Sequence, residues 1–277
     1  MVGIDNINKV IKDLDKVFVV GDIHGMFKSF VYSLIGFKYK TFRDSVVIVA
    51  GDVGLGFYKL NHEVDDLTRM NNDLIDDNIH VVLMRGNHDN PSIYHDTPEE
   101  LRNFSNVHIV DDYSVLTIRD KQILMIGGAT SIDSAYRIKN VTWWKNESVD
   151  KNDNLQDILD NNNISIVITH TAPLFVSPRC EKLDFISTDT FINIYNDRKT
   201  LADVFFKLHE KHTLTKWIYG HFHEHIKTHV PKNITEEEKR YLLSGIVLDP
   251  EQEYDCETYE FICLNEIDGI KIDYIEL

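Results

Sequence analysis

Five short motifs along the chain place carboxylate, imidazole and amide side chains directly after apolar runs. The polar residues of these motifs are Asp22, His24, Asp52, Asn87, His170, His221 and His223. The preceding runs, which are typical of β-strands, are residues 17–20, 46–50, 81–84, 164–168 and 217–219. Because side chains at the carboxyl ends of neighbouring strands meet at one edge of a sheet, we expect the polar residues to converge. Oxygen and imidazole donors without cysteine favour a divalent metal such as Mn, Fe, Zn, Ni or Co.

The spacing of these residues is compatible with a pair of ions. Asp22 and His24 stand two positions apart, as do His221 and His223. In an extended segment, each pair would face one side of the chain. Asp52 has two carboxylate oxygens and would reach both ions. Two ions about 3.5–4 Å apart are a known arrangement for in-line displacement at phosphorus by an activated water.

His88 follows Asn87 directly and is not needed as a ligand. A free imidazole at this edge suits protonation of a leaving oxygen or contact with developing charge. Taken singly, each motif has an ordinary structural explanation, since Gly-Asp is a common turn and a Gly-His-x-His pair can lie on a surface. All five motifs in order, each after a β-type run, favour a shared metal site over coincidence.

The elements that position these motifs alternate between strand and helix over the first two thirds of the chain. Helices are predicted near residues 27–35, 63–76, 155–160 and 201–211. Repeated strand–loop–helix units predict a layered α/β sheet with right-handed crossovers. Further β-type segments are predicted at residues 113–119, 122–126, 260–265 and 270–275. The dipeptide Asp268-Gly269 predicts a hairpin between the last two.

The chain shows no linker rich in Gly, Ser or Pro, no internal repeat and no low-complexity tract. A single domain over residues 1–277 is therefore predicted. Residues 173–199 lack clear periodicity, which makes them a candidate lid or cap beside the site.

Composition limits the classes of partner. The formal net charge of −16 argues against an extensive nucleic-acid surface, although bound cations would still admit a small phosphate ester. The three cysteines are scattered and outside any C-x-x-C pattern, as expected for free thiols in a reducing compartment. No apolar run approaches a membrane span and no leader-like segment opens the chain, so a cytoplasmic location without a membrane partner is expected. The sequence leaves the oligomeric state open.

The complete motif set resembles the calcineurin-like metallophosphoesterase superfamily over roughly residues 17–225. The resemblance implies an α/β fold, a four-layer α/β/β/α sandwich with a dimetal site at the strand ends. It implies two divalent ions, Mn being expected first, with His88 and Asp52 as catalytic residues. The ligands of one ion would be Asp22, His24, Asp52 and His223. The ligands of the other would be Asp52, Asn87, His170 and His221.

The second motif departs from part of this superfamily. The motifs at residues 21–25 and 83–89 look like those of serine/threonine protein phosphatases and diadenosine tetraphosphatases, whose second motif reads G-D-x-x-D-R-G. Residues 51–56 read Gly-Asp-Val-Gly-Leu-Gly instead, without the Asp that orients the histidine or the Arg that grips phosphate. Arg85 is one candidate for phosphate binding, a salt bridge being its alternative. Arg137 is another, in a segment similar to a subset of bacterial and phage metallophosphoesterases.

The leading hypothesis is a binuclear metal-dependent phosphoester hydrolase that uses a metal-bridging hydroxide for in-line attack on phosphorus. The alternatives are a phosphodiesterase acting on nucleotides or nucleic-acid ends, a serine/threonine protein phosphatase, and a noncatalytic scaffold of the same fold. The acidic charge favours a small molecule or nucleotide as the phosphate-ester substrate. The intact set of ligand residues together with His88 counts against the scaffold.

Overall fold

The computed structural model describes residues 4–36, 41–179, 185–211, 213–269 and 271–277. Cys180, His212, Ile270 and residues 180–184 of the candidate lid lie outside these ranges. The helices are α1 (Ile4–Ile11), α2 (Phe27–Ile35), α3 (Leu60–Ile75), α4 (Pro91–His95), α5 (Leu155–Asn161), α6 (Thr188–His209) and α7 (Glu236–Leu243). Within the described ranges, no helix has the length and apolar character needed to cross a bilayer.

The strands form two sheets. In chain order they are β1 (Lys16–Val20), β2 (Ser45–Val49), β3 (Ile79–Leu83), β4 (Val107–Ile109), β5 (Ser114–Ile118), β6 (Lys121–Ile126), β7 (Ile166–Thr169), β8 (Lys216–Tyr219), β9 (Ile226–Pro231), β10 (Thr258–Cys263) and β11 (Tyr274–Glu276). The first sheet has the order β11-β1-β2-β3-β4, and the second has the order β5-β6-β7-β8-β10-β9. Both are mixed, because β11, β5 and β9 run antiparallel to their neighbours while the inner strands are parallel.

The two sheets pack face to face through the inward side chains of their strands. Val19 of β1 pairs in register with Ile48 of β2, which pairs with Val82 of β3. These three side chains share one buried cluster with Ile168 of β7 and Ile218 of β8. Parallel strands covered on both faces read as nearly continuous runs of Val and Ile, as β2 does.

Helices cover the outer face of each sheet. On the first sheet, Phe18 and Val47 point the other way and pack with Leu67 of α3. On the second sheet, Trp217 packs in one cluster with Phe205 of α6. Strand residues therefore alternate between the inter-sheet core and the helix-facing cores, as the two-residue period of a strand requires. The predicted α/β/β/α layering is confirmed.

Two local predictions differ from the structure. The hairpin at Asp268-Gly269 is wrong, because β10 lies in the second sheet whereas β11 pairs with β1 in the first. A tight turn does form there, with Asp268 and Lys271 exchanging backbone hydrogen bonds, but the chain then crosses between the sheets. The helix predicted at 201–211 begins earlier, at Thr188, where the Ser187 side chain accepts a hydrogen bond from the Thr190 N–H. The last twelve residues of the candidate lid, 188–199, are therefore regular helix.

Candidate metal centre

The two sheets present their strand ends at a common edge, and each contributes part of the candidate site. The residues that follow strands of the first sheet are Asp22, His24, Asp52 and Asn87. Those that follow strands of the second sheet are His170, His221 and His223. The structure thus brings together all seven side chains that the sequence nominated as ligands, from positions far apart along the chain.

One group of donor atoms comes from Asp22, His24, Asp52 and His223. One ligand atom of each lies within 4.8 Å of those of the other three. The Nε2 atoms of His24 and His223 are 3.2 Å apart, and Nε2 of His223 is 3.2 Å from Oδ2 of Asp22. Two imidazoles and two carboxylates converging in this way form a donor set suited to a divalent cation.

A second group adjoins the first and shares Asp52 with it. Ligand atoms of Asp52, His170 and His221 lie within 4.8 Å of one another. Oδ1 of Asn87 lies 3.0 Å from Nε2 of His170 and adds a neutral oxygen donor. Oδ1 of Asp52 is 3.1 Å from His170 Nε2, whereas Oδ2 is 4.0 Å from His24 Nδ1. The two carboxylate oxygens of Asp52 therefore face different groups, as a bridging ligand requires.

The surroundings of His170 test whether a cation fits this second group. Its Nδ1–H donates to the carbonyl of Ala50 at 2.8 Å, so Nε2 is directed at the oxygens of Asn87 and Asp52. Burial lowers the pKa of His170, but Asp52 and Asp22 outweigh it and raise this pKa to about 9. A proton at Nε2 thus offsets part of the negative charge of the buried carboxylates of Asp52 and Asp22. A divalent cation at the same place would balance them in the same way, so the donors fit a metal.

The backbone of the site is left-handed rather than extended. His24, Asp52, His221 and His223 have φ of +46°, +47°, +73° and +53°. Non-glycine residues in this region cost about 1–3 kcal/mol each and tend to cluster at functional sites. The expectation that an extended backbone aligns Asp22 with His24, and His221 with His223, is therefore wrong. The pairs converge because the chain turns sharply at each strand end.

Asp89 joins the turn that follows β2 to the turn that follows β3. The sequence alone assigned this residue no role. Its buried carboxylate accepts hydrogen bonds from the backbone N–H groups of Val53, Gly54, Leu55 and Gly86, at 2.7–3.1 Å. Burial and then Asp52 raise the pKa of Asp89 to about 7. Gly54 has φ of +91°, and a Cβ there would lie 2.5 Å from the backbone nitrogen of Gly25. The only sequence signal for Asp89 was its place at the end of the Asn-His-Asp motif.

His88 and Arg137 meet beside the seven candidate ligands, which together form the metal-ligand cluster. The His88 backbone N–H donates to Oδ1 of Asp52 at 2.7 Å, and its ring nitrogen Nε2 contacts Nη2 of Arg137. Burial lowers the pKa of His88, with Asp52 opposing and Arg137 reinforcing the shift. Nη2 of Arg137 is also 2.8 Å from Oδ1 of Asp133. Nη1 of Arg137 is buried and has no acceptor among the described residues.

Arg85 lies elsewhere, so its predicted contact with phosphate needs correction. The side chain is wholly buried, and its Nε donates to Oδ2 of Asp112 at 2.9 Å. Its Nη1 and Nη2 donate to the carbonyls of Glu147 and Ser148 at 2.8 and 3.0 Å. This placement agrees with the alternative of a salt bridge. Arg85 joins the end of β3 to the loop that carries Arg137. Moving its side chain toward a substrate would break a buried ion pair, which costs free energy.

A cavity of about 530 Å³ opens beside the cluster. His88 and Arg137 line it together with ligand residues from both groups. Its other walls include the apolar side chains of Ile132, Ile186 and Ile194. A larger cavity of about 640 Å³ lies near α1 and β5, and its described lining includes none of the predicted site residues. The candidate site therefore adjoins the smaller cavity.

Comparison with known proteins agrees with the site. The family model for calcineurin-like phosphoesterases matches residues 15–225, and the chain belongs to this family. One solved crystal structure is 13% identical with a TM-score of 0.49, and the match covers 94% of each chain. The protein TT1561 of Thermus thermophilus is 9% identical with a TM-score of 0.45, and the match covers 91% of this chain and 90% of that one. These two likenesses are too distant to carry an argument. No curated protein matches the sequence.

Proposed function

We propose that this protein is a binuclear metal-dependent hydrolase of small phosphate esters. The observation that carries the proposal is the pair of donor groups that share Asp52 and adjoin a cavity bearing His88 and Arg137. Family membership supports a phosphate ester as the substrate class. The mechanism proposed is in-line attack of water on phosphorus without a covalent phosphoenzyme.

The ligand residues would hold two divalent ions, one in each donor group, with Asp52 common to both. We propose Mn²⁺, the same donors being suited to Fe, Zn, Ni or Co. When bound, the ions lower the pKa of an attacking water and offset the negative charge on phosphoryl oxygens. The protein contributes the fixed positions of the donors, which come from both sheets.

Arg137 is placed to bind the nonbridging oxygens of the ester. A buried guanidinium nitrogen without an acceptor is costly, and a phosphoryl oxygen in the cavity would satisfy Nη1. Arginine bonds phosphate oxygens in a fork geometry that lysine lacks. Asp133 holds Nη2, the other terminal nitrogen of the guanidinium, and so limits its rotation.

His88 is placed to move a proton at the leaving oxygen. It lies on the cavity wall outside both donor groups, so its ring would not be needed to hold an ion. Proton transfer by a positioned imidazole contributes about 10²–10⁴-fold to a rate. Arg137 contacts Nε2 and orients the ring, a task that the second motif leaves unassigned.

The cavity favours a substrate of small-molecule or nucleotide size. Its volume of about 530 Å³ lies within the range of roughly 300–1,000 Å³ that is usual for small-ligand sites. The isoleucines on its wall would contact the organic part of the ester. A net charge of −16 disfavours a polynucleotide, whose backbone requires clustered cations.

Hydrolysis of chromogenic esters tests the proposal. Metal-stripped protein is assayed with p-nitrophenyl phosphate and bis(p-nitrophenyl) phosphate, before and after addition of Mn²⁺. We expect turnover of at least one ester only after Mn²⁺ is added, and the ratio of the two rates distinguishes a monoesterase from a diesterase. Binding of two ions without turnover of either ester would overturn the proposal in favour of the noncatalytic scaffold.

A further inference from the structure

We propose that Glu147 is a positioning residue that determines, through Ser131, which atom of the Asn87 amide faces the metal-ligand cluster. The inference rests on the proposed function, in which Asn87 is a ligand through Oδ1. Glu147 lies far from Asn87 in sequence and reaches it by a chain of two side-chain hydrogen bonds.

The three residues form a buried and continuous chain of hydrogen bonds. Asn87, Ser131 and Glu147 are exposed by 3%, 1% and 2%. Nδ2 of Asn87 donates to Oγ of Ser131 at 3.0 Å. The Ser131 hydroxyl donates to Oε2 of Glu147 at 2.7 Å, and the Ser131 backbone N–H donates to Oε1 at 2.7 Å. Each carboxylate oxygen of Glu147 therefore accepts a hydrogen bond from Ser131, and the side chain of Trp143 also acts on this carboxylate.

The direction of this chain follows from the number of protons available. A hydroxyl has a single proton to donate, and the carboxylate of Glu147 can only accept it. Once that proton is committed, Ser131 Oγ faces Asn87 as an acceptor. The Asn87 amide then turns its NH₂ toward Ser131, which leaves Oδ1 3.0 Å from Nε2 of His170.

The reversed amide would be penalised at both ends. Oδ1 would face Ser131 Oγ without a proton between the two oxygens. The NH₂ group would take the place of Oδ1 beside Nε2 of His170, where an amide nitrogen cannot bind a cation. Groups beyond the ligands commonly fix ligand orientation in this way. Glu147 thus selects the ligand atom without touching the cluster itself.

Replacement of Glu147 by glutamine reverses the direction of the chain at almost constant shape. The Ser131 backbone N–H requires the single remaining oxygen, so the new NH₂ takes the position of Oε2 and donates to Ser131 Oγ. The serine proton is then released toward Asn87 and favours the reversed amide. We expect Glu147→Gln to weaken one of two Mn²⁺ sites by about 10–100-fold, a typical loss for such partners, and to leave the other site near wild type.

Calorimetric titration of Mn²⁺ into metal-stripped protein tests the inference without measuring activity. Ser131→Ala removes the intermediate hydroxyl and is expected to weaken the same site. In the Ser131→Ala background, Glu147→Gln should cause no further loss, because its effect passes through the missing hydroxyl. Glu63→Gln is the matched control, since this buried glutamate accepts from the N–H groups of Gly56 and Tyr58 and has no link to Asn87.

The outcomes separate this inference from the proposed function. Fewer than two Mn²⁺ sites in the wild-type protein would overturn the proposed function. Two sites in wild type and unchanged affinities in Glu147→Gln or Ser131→Ala would overturn the positioning role alone. Equal weakening by Glu63→Gln, or additive losses in the double variant, would also overturn it. If Glu147→Gln fails to fold by circular dichroism, Ser131→Ala decides the question.

Discussion

Arg137 contacts Nε2 of His88 through Nη2, while Asp133 holds the same guanidinium nitrogen from the other side. The same arginine lines the cavity, and its Nη1 is buried without a protein acceptor among the described residues. The second motif of this chain, residues 51–56, contains neither a second aspartate nor an arginine. Arg137, some fifty positions beyond His88 along the chain, contacts the His88 ring, and we propose that it supplies both functions here, orienting this ring and binding phosphate.

Arg137→Lys should reduce phosphate-ester turnover while metal content stays near wild type. Lysine keeps the charge but loses the fork and the contact that orients His88. A hydrogen bond to a charged group is worth about 1.5–3 kcal/mol, so kcat/KM should fall about 10–100-fold. Steady-state kinetics with both nitrophenyl esters measure the change. Arg69→Lys is the control, because Arg69 is 73% exposed on α3. Equal kinetics in wild type and Arg137→Lys would remove Arg137 from the site.

His88→Ala should keep both ions and lose turnover. The backbone N–H of residue 88, which donates to Asp52, survives this substitution. The loss should approach about 10²–10⁴-fold for an alkyl phosphate and be smaller for nitrophenolate, which leaves without a proton. Elemental analysis and kinetics on both substrate types are compared with His62→Ala, a variant of an exposed histidine on α3. An emptied metal site in His88→Ala would mean that His88 is a ligand.

Asp52→Asn should abolish turnover and release much of the metal. The two oxygens of Asp52 face different donor groups, and an amide offers neither the charge nor the second strong donor. Metal content after gel filtration, measured by elemental analysis, tests this expectation. Asp66→Asn on the surface of α3 is the matched control. Two tightly held ions in Asp52→Asn would contradict the bridging assignment.

His108 should make the fold sensitive to acid. Burial, followed by the neighbouring His80, lowers the pKa of His108 from 6.5 to about 4. The unfolded chain then binds more protons than the folded one, so stability is complete above pH 6.5 and falls as the pH drops toward 4. The difference in pKa corresponds to about 3 kcal/mol of unfolding free energy.

Urea unfolding of metal-stripped protein across this pH interval measures the effect. His108→Gln, which does not titrate, should lose less stability than wild type as the pH falls. His62→Gln on the exposed face of α3 should follow the wild-type profile. Parallel profiles for wild type and His108→Gln would show that His108 does not contribute.

The metal-ligand cluster was accessible from the sequence because its signals are local. Each candidate ligand follows directly after a strand, and parallel neighbours bring strand ends to one edge whatever the connections between them. Asp22 and His221 illustrate this, since the backbone N–H of His221 donates to the carboxylate of Asp22 at 3.1 Å across 199 positions. The layered fold followed from the same alternation of strands and helices.

Features that depend on distant partners could not be predicted in this way. Arg85 and Arg137 are both cations near the motifs, so the sequence could not tell their roles apart. Only the position of Asp112 in the structure shows that Arg85 forms a buried ion pair. The turn at Asp268-Gly269 was a correct local signal, yet the strands after and before it pair with different neighbours. The left-handed backbone at Asp52 could not be predicted either, because the sequence pattern assumed extended segments.

The division of the ligands between the two sheets has a consequence for the whole chain. When ions are bound, residues near the beginning of the fold and residues near position 223 are joined through a common centre. Such a connection joins positions about two hundred residues apart, and it exists only in the folded protein because the unfolded chain does not assemble the ligands. Metal binding is then also folding free energy. In a chain without paired cysteines among its described residues, bound ions would therefore link distant segments by stabilising the folded state, whereas a disulfide would do so by constraining the unfolded one.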